Sequence, residues 1–219
     1  MSAPAVLVMA KAPHPGRVKT RLHPLLTPRR CAALQAELIR RTTALATGCE
    51  LRTHLAYDPP EARTELRALV PAGVRLLPQD GSHLGRRLAT AVRDVFAHGS
   101  GPLLVVGTDA PTLTPWHLEE AHAALAGDAD VVLGPALDGG YYLIGMRRPH
   151  LGLFGIDPEL WGGARVLAAT LDLAGRHRLR VRLLPRLRDL DTPEDAAALL
   201  ADPGLPAGVA ALLRPTEAP

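Results

Sequence analysis

Short apolar runs alternate with longer helix-like segments along almost the whole chain. Residues 6–10 and 103–107 are typical strand runs, and the second is apolar on both faces. Between them, Leu34, Leu38 and Leu45 follow helical spacing. Strands that alternate with helices of about ten residues build βαβ units. The pattern therefore predicts an α/β fold with a mainly parallel sheet flanked by helices.

Length and composition narrow the class of protein. With 219 residues, 47% of them hydrophobic and 21% charged, the chain is long enough to bury a core. We expect one domain over residues 1–202 and a short C-terminal extension over 203–219. No apolar run approaches the roughly 18 residues of a membrane span, and a net charge of +3 is too small to indicate a nucleic-acid partner. We therefore expect a cytoplasmic protein without a membrane or nucleic-acid partner.

A basic loop follows the first predicted strand. Only two of the 25 basic residues are lysines, and both lie here. The loop matches neither the P-loop nor the dinucleotide-binding fingerprint. Two lysines and two arginines could neutralise a nucleotide di- or triphosphate, while Gly16 would let backbone N–H groups approach it. The alternative is a solvated basic loop. The four basic residues are Lys11, Arg17, Lys19 and Arg21.

Two acidic segments follow later strands. Asp109 ends the most apolar strand, where a carboxylate can hold Mg²⁺ or Mn²⁺; the alternative is a carboxylate that caps the loop. Asp189-Leu190-Asp191-Thr192 resembles the start of a phosphatase motif, but that motif belongs after the first strand and this segment follows the last. Thr192-Pro193 is typical of a helix start. Asp191 remains open as a second carboxylate near the metal.

A glycine-rich segment joins the two strand runs around residues 131–133 and 142–144. Its Asp138-Gly139-Gly140 turn could be an ordinary hairpin turn. The connection is longer than a hairpin needs, however, and both glycines could admit a ligand. Tyr141 or Tyr142 could stack on a base or a sugar, and strand alternation predicts that they face opposite sides of the sheet. Because the turn has no basic residue, we expect it beside a sugar or an acceptor rather than beside phosphates.

Five motifs, taken in order, resemble a known bacterial family: the radical-SAM/selenodomain-associated transferases, also described as arsenosugar-biosynthesis-type glycosyltransferases. The resemblance spans about residues 5–200. One departure from the family pattern is Trp161-Gly162-Gly163, where a Trp-Ser-Thr-like segment is expected. The motifs are the basic loop 11–22, Gln79-Asp80-Gly81 with the following Leu-Gly-Arg-Arg-Leu, Gly107-Thr108-Asp109, 134–141, and 189–195.

The resemblance implies a single-domain GT-A (Rossmann-like) fold, that of the nucleotide-diphospho-sugar transferases, a superfamily that includes guanylyltransferases. It also implies a Mg²⁺ or Mn²⁺ cofactor. Gly107 stands where the glycosyltransferase Asp-x-Asp pattern has its first acid, so Asp138 or Asp191 would supply the second ligand. The implied roles are nucleotide binding by Lys11, Gly16, Arg17, Lys19, Arg21 and Gln79, metal binding by Asp109, catalysis by Asp138 and Asp191, and substrate binding by Gly139, Gly140 and Tyr141.

Three functions remain open. The family description favours a metal-dependent glycosyltransferase that takes a nucleotide sugar and a small-molecule acceptor. The four basic residues suit an NTP somewhat better, and with it a guanylyltransferase-like nucleotidyltransferase. The missing Asp-x-Asp acid allows a catalytically inactive nucleotide-binding protein.

Overall fold

The centre of the computed structural model, which describes residues 3–214, is a sheet of seven strands. In chain order they are β1 (Ala3–Lys11), β2 (Arg52–Asp58), β3 (Arg75–Pro78), β4 (Ser100–Val106), β5 (Val131–Pro135), β6 (Tyr141–Met146) and β7 (Val181–Leu183).

Helices cover both faces of this sheet. The first begins at Pro28, because the Thr27 side chain accepts a hydrogen bond from the backbone N–H of Arg30 and proline suits the first helical position. The helices are α1 (Pro28–Gly48), α2 (Arg63–Leu69), α3 (Leu84–Ala97), α4 (Pro115–Ala126), α5 (Val166–Arg176), α6 (Pro193–Leu200) and α7 (Ala207–Leu213).

The strand order is β3-β2-β1-β4-β6-β5-β7. Strand β6 runs antiparallel to both of its neighbours, and every other pairing of adjacent strands is parallel. The predicted α/β fold with a mainly parallel sheet is therefore confirmed. Because the carboxyl ends of β1, β3, β4, β5 and β7 lie at one edge, the loops that follow them meet there.

Strand β4 separates the two main apolar cores. Leu104 and Val106 pack on one face of the sheet, and Leu103 and Val105 pack on the other. All four side chains are buried. This arrangement explains the continuous apolar run in the sequence, since a central strand covered on both sides needs no polar face.

The C-terminal segment from residue 203 contains a helix that packs on the domain. Val209 and Leu213 of α7 are fully buried in a third apolar cluster together with Leu38 of α1 and Leu190. Residues 215–219 lie outside the described part. No helix within residues 3–214 is both long enough and apolar enough to span a membrane.

His54 on β2 gives the protein a testable dependence of stability on pH. Its side chain is 6% exposed, and neither ring nitrogen has a hydrogen-bond partner among the described residues. Burial, with Arg75, His98 and Arg52 nearby, lowers the pKa of His54 to about 4. The unfolded chain, with a pKa of about 6.5, binds the proton more tightly, so stability falls as the pH drops from about 6.5 to 4.

We expect the protonation of His54 to reduce the free energy of unfolding by about 3 kcal/mol across that pH range. Urea denaturation from pH 7 to pH 4 would measure it. His54→Leu should flatten the acid limb of the profile, whereas the exposed control His23→Leu should leave it as steep as in the parent protein. An equally steep limb in His54→Leu would assign the dependence to other groups.

Candidate functional site

Two adjoining pockets lie at the edge of the sheet where the parallel strands end. The first has a volume of about 550 Å³ and the second about 270 Å³. Met9, Leu84, Asp109 and Asp191 line both pockets. The two carboxylates therefore stand at the junction between two binding volumes.

The first pocket is the basic one. Gln79 is among its lining residues, and its side-chain amide donates to the carbonyl groups of Ala10 (3.1 Å) and Ala56 (2.9 Å) at the ends of β1 and β2. Gly16 lies in the same loop in a left-handed conformation (φ +77°) but not in the pocket wall. The other predicted nucleotide-binding residues line this pocket: Lys11, Arg17, Lys19 and Arg21.

Lys19 differs from the other three basic residues, because its ammonium group is buried and fully engaged. Its Nζ donates to Asp109 Oδ1 (2.5 Å), to the Leu190 carbonyl (2.7 Å) and to Asp191 Oδ1 (3.2 Å). The side chain is only 5% exposed. Burial alone would lower the pKa of Lys19, but the two carboxylates outweigh it and the pKa is raised. All three N–H donors of Lys19 are used, whereas Lys11, Arg17 and Arg21 are exposed, and Arg21 also lies 3.8 Å from Asp191 Oδ2.

The backbone conformation of Lys19 directs its ammonium group toward these three acceptors. The residue is left-handed, with φ 49° and ψ 37°, a conformation that costs a non-glycine residue about 1 kcal/mol or more. Its carbonyl accepts from the Leu22 backbone N–H (2.9 Å). The three contacts of the ammonium offset the local strain. Sequence reasoning had no signal for this conformation, because lysine is not a residue that favours it.

A backbone hydrogen bond and a helix cap hold Asp191 close to Asp109. The backbone N–H of Leu190 donates to the Asp109 carbonyl (2.7 Å), which fixes the segment against the end of β4. Thr192 then caps α6, since its hydroxyl accepts from the Asp195 backbone N–H (3.2 Å) and donates to the Asp195 carboxylate (2.8 Å). The segment is therefore both the predicted helix start and the source of a site carboxylate.

These two carboxylates fit a divalent cation. Asp109 and Asp191 are 45% and 34% exposed and converge on a single cationic atom, Lys19 Nζ. Within residues 3–214, no group of three or more His, Cys, Asp or Glu is arranged to hold a metal ion. Magnesium is commonly held by one or two carboxylates, with water and substrate phosphates as the other ligands. Asp109 and Asp191 would be the protein ligands of such a site.

The second pocket carries Asp138, which was predicted to be catalytic, and Gly140 and Tyr141, which were predicted to bind the substrate, in its walls. It also contains Asp189, which sequence reasoning missed as a site residue. Burial, with Asp109, Asp138 and Asp191 nearby, raises the pKa of Asp189 to about 8. Its position two residues before Asp191, after the last strand, was the available signal, because alternate residues of an extended segment point the same way.

The two adjacent tyrosines face opposite sides of the sheet, as alternation predicts. Tyr141 packs against the core on the α3 and α5 side, and Tyr142 packs on the other side. The Tyr142 hydroxyl donates to the Pro185 carbonyl (3.0 Å), and its ring lies over Gly134, where an added Cβ would meet it at 2.4 Å. Tyr142 therefore has a packing role, although both tyrosines line the second pocket.

The backbone at Gly139 requires a glycine, whereas the backbone at Gly140 does not. It adopts φ +90°, and an added Cβ would lie 2.1 Å from the Ala164 carbonyl oxygen. It is not among the residues that line the second pocket. We expect Gly139→Ala to reduce the free energy of unfolding by more than about 2 kcal/mol, from left-handed strain and the backbone clash.

The matched control is Gly140→Ala in the same turn, where an added Cβ would meet only the flexible Asp138 carboxylate, at 3.2 Å. Its loss of stability, measured by urea denaturation, should be much smaller. Equal losses in the two variants would contradict the assigned role of Gly139.

The comparisons with known proteins agree with this architecture. A candidate nucleotide-diphospho-sugar transferase from Desulfovibrio desulfuricans G20 is 30% identical, with a TM-score of 0.87 over 98% of this chain and 95% of that one. CMP:2-keto-3-deoxy-manno-octonic acid synthetase, complexed with CTP, is 15% identical with a TM-score of 0.53 and coverages of 91% and 99%. The Rv0371c protein of Mycobacterium tuberculosis H37Rv, in complex with manganese, is 19% identical with a TM-score of 0.55 and coverages of 92% and 100%. At these identities the last two show the fold alone.

No functionally curated protein matches the chain significantly. A family model does match, over residues 40–158, which is more than half of the sequence and includes strands β2 to β6. The chain therefore belongs to the DUF2064 family, described as an uncharacterized protein conserved in bacteria.

Proposed function

We propose that this protein is a metal-dependent glycosyltransferase that binds a nucleotide sugar and passes the sugar to a small-molecule acceptor. The observation that carries the proposal is the pair of pockets that meet at Asp109 and Asp191. One pocket is lined with basic side chains and the other with carboxylates, so a ligand with a phosphate half and a sugar half suits both. The similarity to the Desulfovibrio protein supports the same substrate class.

The first pocket would take the nucleotide phosphates. Lys11, Arg17 and Arg21 are exposed along its wall and can make charge-assisted hydrogen bonds to phosphate oxygens. Asp109 and Asp191 would hold Mg²⁺ or Mn²⁺, which, when bound, supplies charge neutralisation on the leaving diphosphate. The manganese complex of the mycobacterial protein of the same fold supports this cofactor class.

A nucleotidyltransferase is the second candidate. One protein of this fold is a synthetase complexed with CTP, and another, from Leptospira borgpetersenii, is a cytidylyltransferase. In that reaction an acceptor would attack the α-phosphate of an NTP and pyrophosphate would leave. Asp191, which shares the Lys19 ammonium with Asp109 and would serve as the second acid, argues against the third candidate, a catalytically inactive nucleotide-binding protein.

A thermal-shift screen with nucleoside triphosphates and nucleotide sugars, each with and without Mn²⁺, tests the proposal. We expect a nucleotide sugar to raise the melting temperature, and Mn²⁺ to increase the shift. Arg17→Ala should reduce the shift, while Arg86→Ala, an exposed arginine outside both pockets, should not. A larger shift with NTPs alone would favour nucleotidyl transfer, and no shift with any nucleotide would refute both activities.

A further inference from the structure

The third apolar cluster joins the C-terminal helix α7 to the segments behind the first pocket. Leu22 of the basic loop and Leu190, the residue before Asp191, are both fully buried in this cluster. Val209 and Leu213 of α7 are fully buried in it as well. The last described helix therefore packs on the same core as two segments that supply charged groups to the site.

Two residues of this cluster hold the backbone of Lys19. The Leu22 N–H donates to the Lys19 carbonyl (2.9 Å), and the thiol of the fully buried Cys31 donates to the same oxygen (3.5 Å). Both contacts fix the peptide that follows the left-handed Lys19. A shift of Leu22 or Cys31 would therefore move the Lys19 ammonium group relative to its carboxylates.

Leu190 connects the cluster to the other side of the site. Its side chain lies in the apolar cluster, while its N–H donates to the Asp109 carbonyl (2.7 Å) and its carbonyl accepts from Lys19 Nζ (2.7 Å). Asp191 is the next residue along the chain. The packing of Leu190 therefore sets the distance between the two carboxylates and the ammonium group.

Helix α7 can be loosened separately from the rest of the fold. It has only seven residues, so its helical structure depends on its packing against the domain. Arg30 of α1 holds its C-terminal end by donating from Nη2 to the carbonyls of Ala211 (3.3 Å) and Leu212 (2.9 Å). A short terminal segment held by a few buried contacts opens more readily than central strands and helices do.

We infer that α7 is a positioning element of the nucleotide and metal site. Val209 and Leu213 are its positioning residues, because their packing in the third cluster keeps Lys19, Asp109 and Asp191 in their observed arrangement. The ligand of this arrangement is that of the proposed function, on which this part of the role rests. Coupling between two sites is reciprocal, so a ligand bound in the first pocket should also hold α7 more firmly against the domain.

Hydrogen exchange of single amides, followed by NMR, tests the positioning role without any ligand. In Val209→Ala, the N–H groups of Leu22 and Leu190 should exchange about tenfold faster than in the parent, after correction for the loss of global stability measured by urea denaturation. The matched control is Val95→Ala, which truncates an equally buried valine of α3 in the second apolar cluster, outside both pockets. It should leave both amides unchanged after the same correction. Ala211→Gly, at an exposed position of α7, removes no buried side chain and should also speed both amides. Equal corrected exchange in Val209→Ala and Val95→Ala would overturn the inference.

Ligand binding tests the reciprocal effect. UDP, GDP, CDP and ADP, each with Mn²⁺, are titrated by calorimetry, and the α7 amides are followed at saturation. We expect a diphosphate that binds to slow exchange of the α7 amides, and Val209→Ala to weaken its affinity about fivefold, while Val95→Ala changes it less than about twofold. A bound diphosphate that leaves α7 exchange unchanged, or that binds both variants equally, would overturn the coupling. If no diphosphate binds, the proposed function fails, and the Leu22 and Leu190 amides alone decide the positioning role.

Discussion

Asp109→Asn should abolish the manganese-dependent part of nucleotide binding. Asparagine keeps the shape of the side chain but removes the charge, and Asp191 alone is a poor site for a divalent ion. A metal that bridges protein and phosphate contributes several kcal/mol, so we expect the affinity in Mn²⁺ to fall by more than about 100-fold. Isothermal titration calorimetry with and without Mn²⁺ measures the difference.

The variant should keep its fold. Leu190 N–H still donates to the Asp109 backbone carbonyl, and Lys19 keeps the Leu190 carbonyl and Asp191 as partners. The matched control is Asp80→Asn, an exposed acid outside both pockets, which should leave metal dependence unchanged. A variant that melts earlier but retains its Mn²⁺ dependence would make Asp109 a structural cap, the alternative that the sequence left open.

Lys19→Ala should destabilise the protein and make its stability depend on divalent cations. The substitution leaves Asp109 and Asp191 facing each other without the ammonium group that joins them. Breaking a buried ion pair can cost 3–5 kcal/mol, and because these carboxylates are partly exposed we expect about 2 kcal/mol. The sequence alone predicts that Lys19 binds phosphate directly; the structure instead engages its ammonium with two carboxylates and a carbonyl.

Divalent cations should restore much of this loss. Mn²⁺ binds the two freed carboxylates in the folded state, and ligands that bind only the folded state raise its stability. Melting temperatures with increasing Mn²⁺ should therefore rise more steeply in Lys19→Ala than in the parent protein. Lys11→Ala, the exposed lysine of the same loop, should weaken nucleotide binding without this effect. If Mn²⁺ stabilises neither Lys19→Ala nor the parent, the two carboxylates do not form a cation site.

The basic wall of the first pocket could largely be predicted from sequence because its predicted basic residues lie in one loop. A loop after a parallel strand lies at the ligand-binding edge, and the chain keeps its only two lysines there. Lys11 and Arg17 could therefore be placed at this edge of the sheet from their position in the chain alone. Gln79 was assigned on the family resemblance, and its place at the ends of β1 and β2 confirms only that it lies in the pocket wall.

The contacts between distant segments could not be predicted in this way. Lys19, Asp109 and Asp191 are separated by 90 and by 172 positions along the chain, counted from Lys19. Their meeting depends on a left-handed backbone at Lys19 and on the hydrogen bond from Leu190 N–H to the Asp109 carbonyl. The place of Asp189 likewise became visible only from the fold, which buries it beside three other acidic residues.

The sequence by itself determined the alternation of strands and helices, the caps at Thr27 and Thr192, and the loops that carry charge, because these follow from local propensity and periodicity. The tertiary structure decided which charges pair and which remain free for a ligand. The physical reason is that pairing depends on distances between residues far apart in the chain, and on burial, which the order of residues does not give. Lys19 is the clearest case. The scarcity of lysine in the sequence correctly pointed to its loop at the edge of the sheet, but only the fold shows that its partners are two carboxylates and a carbonyl.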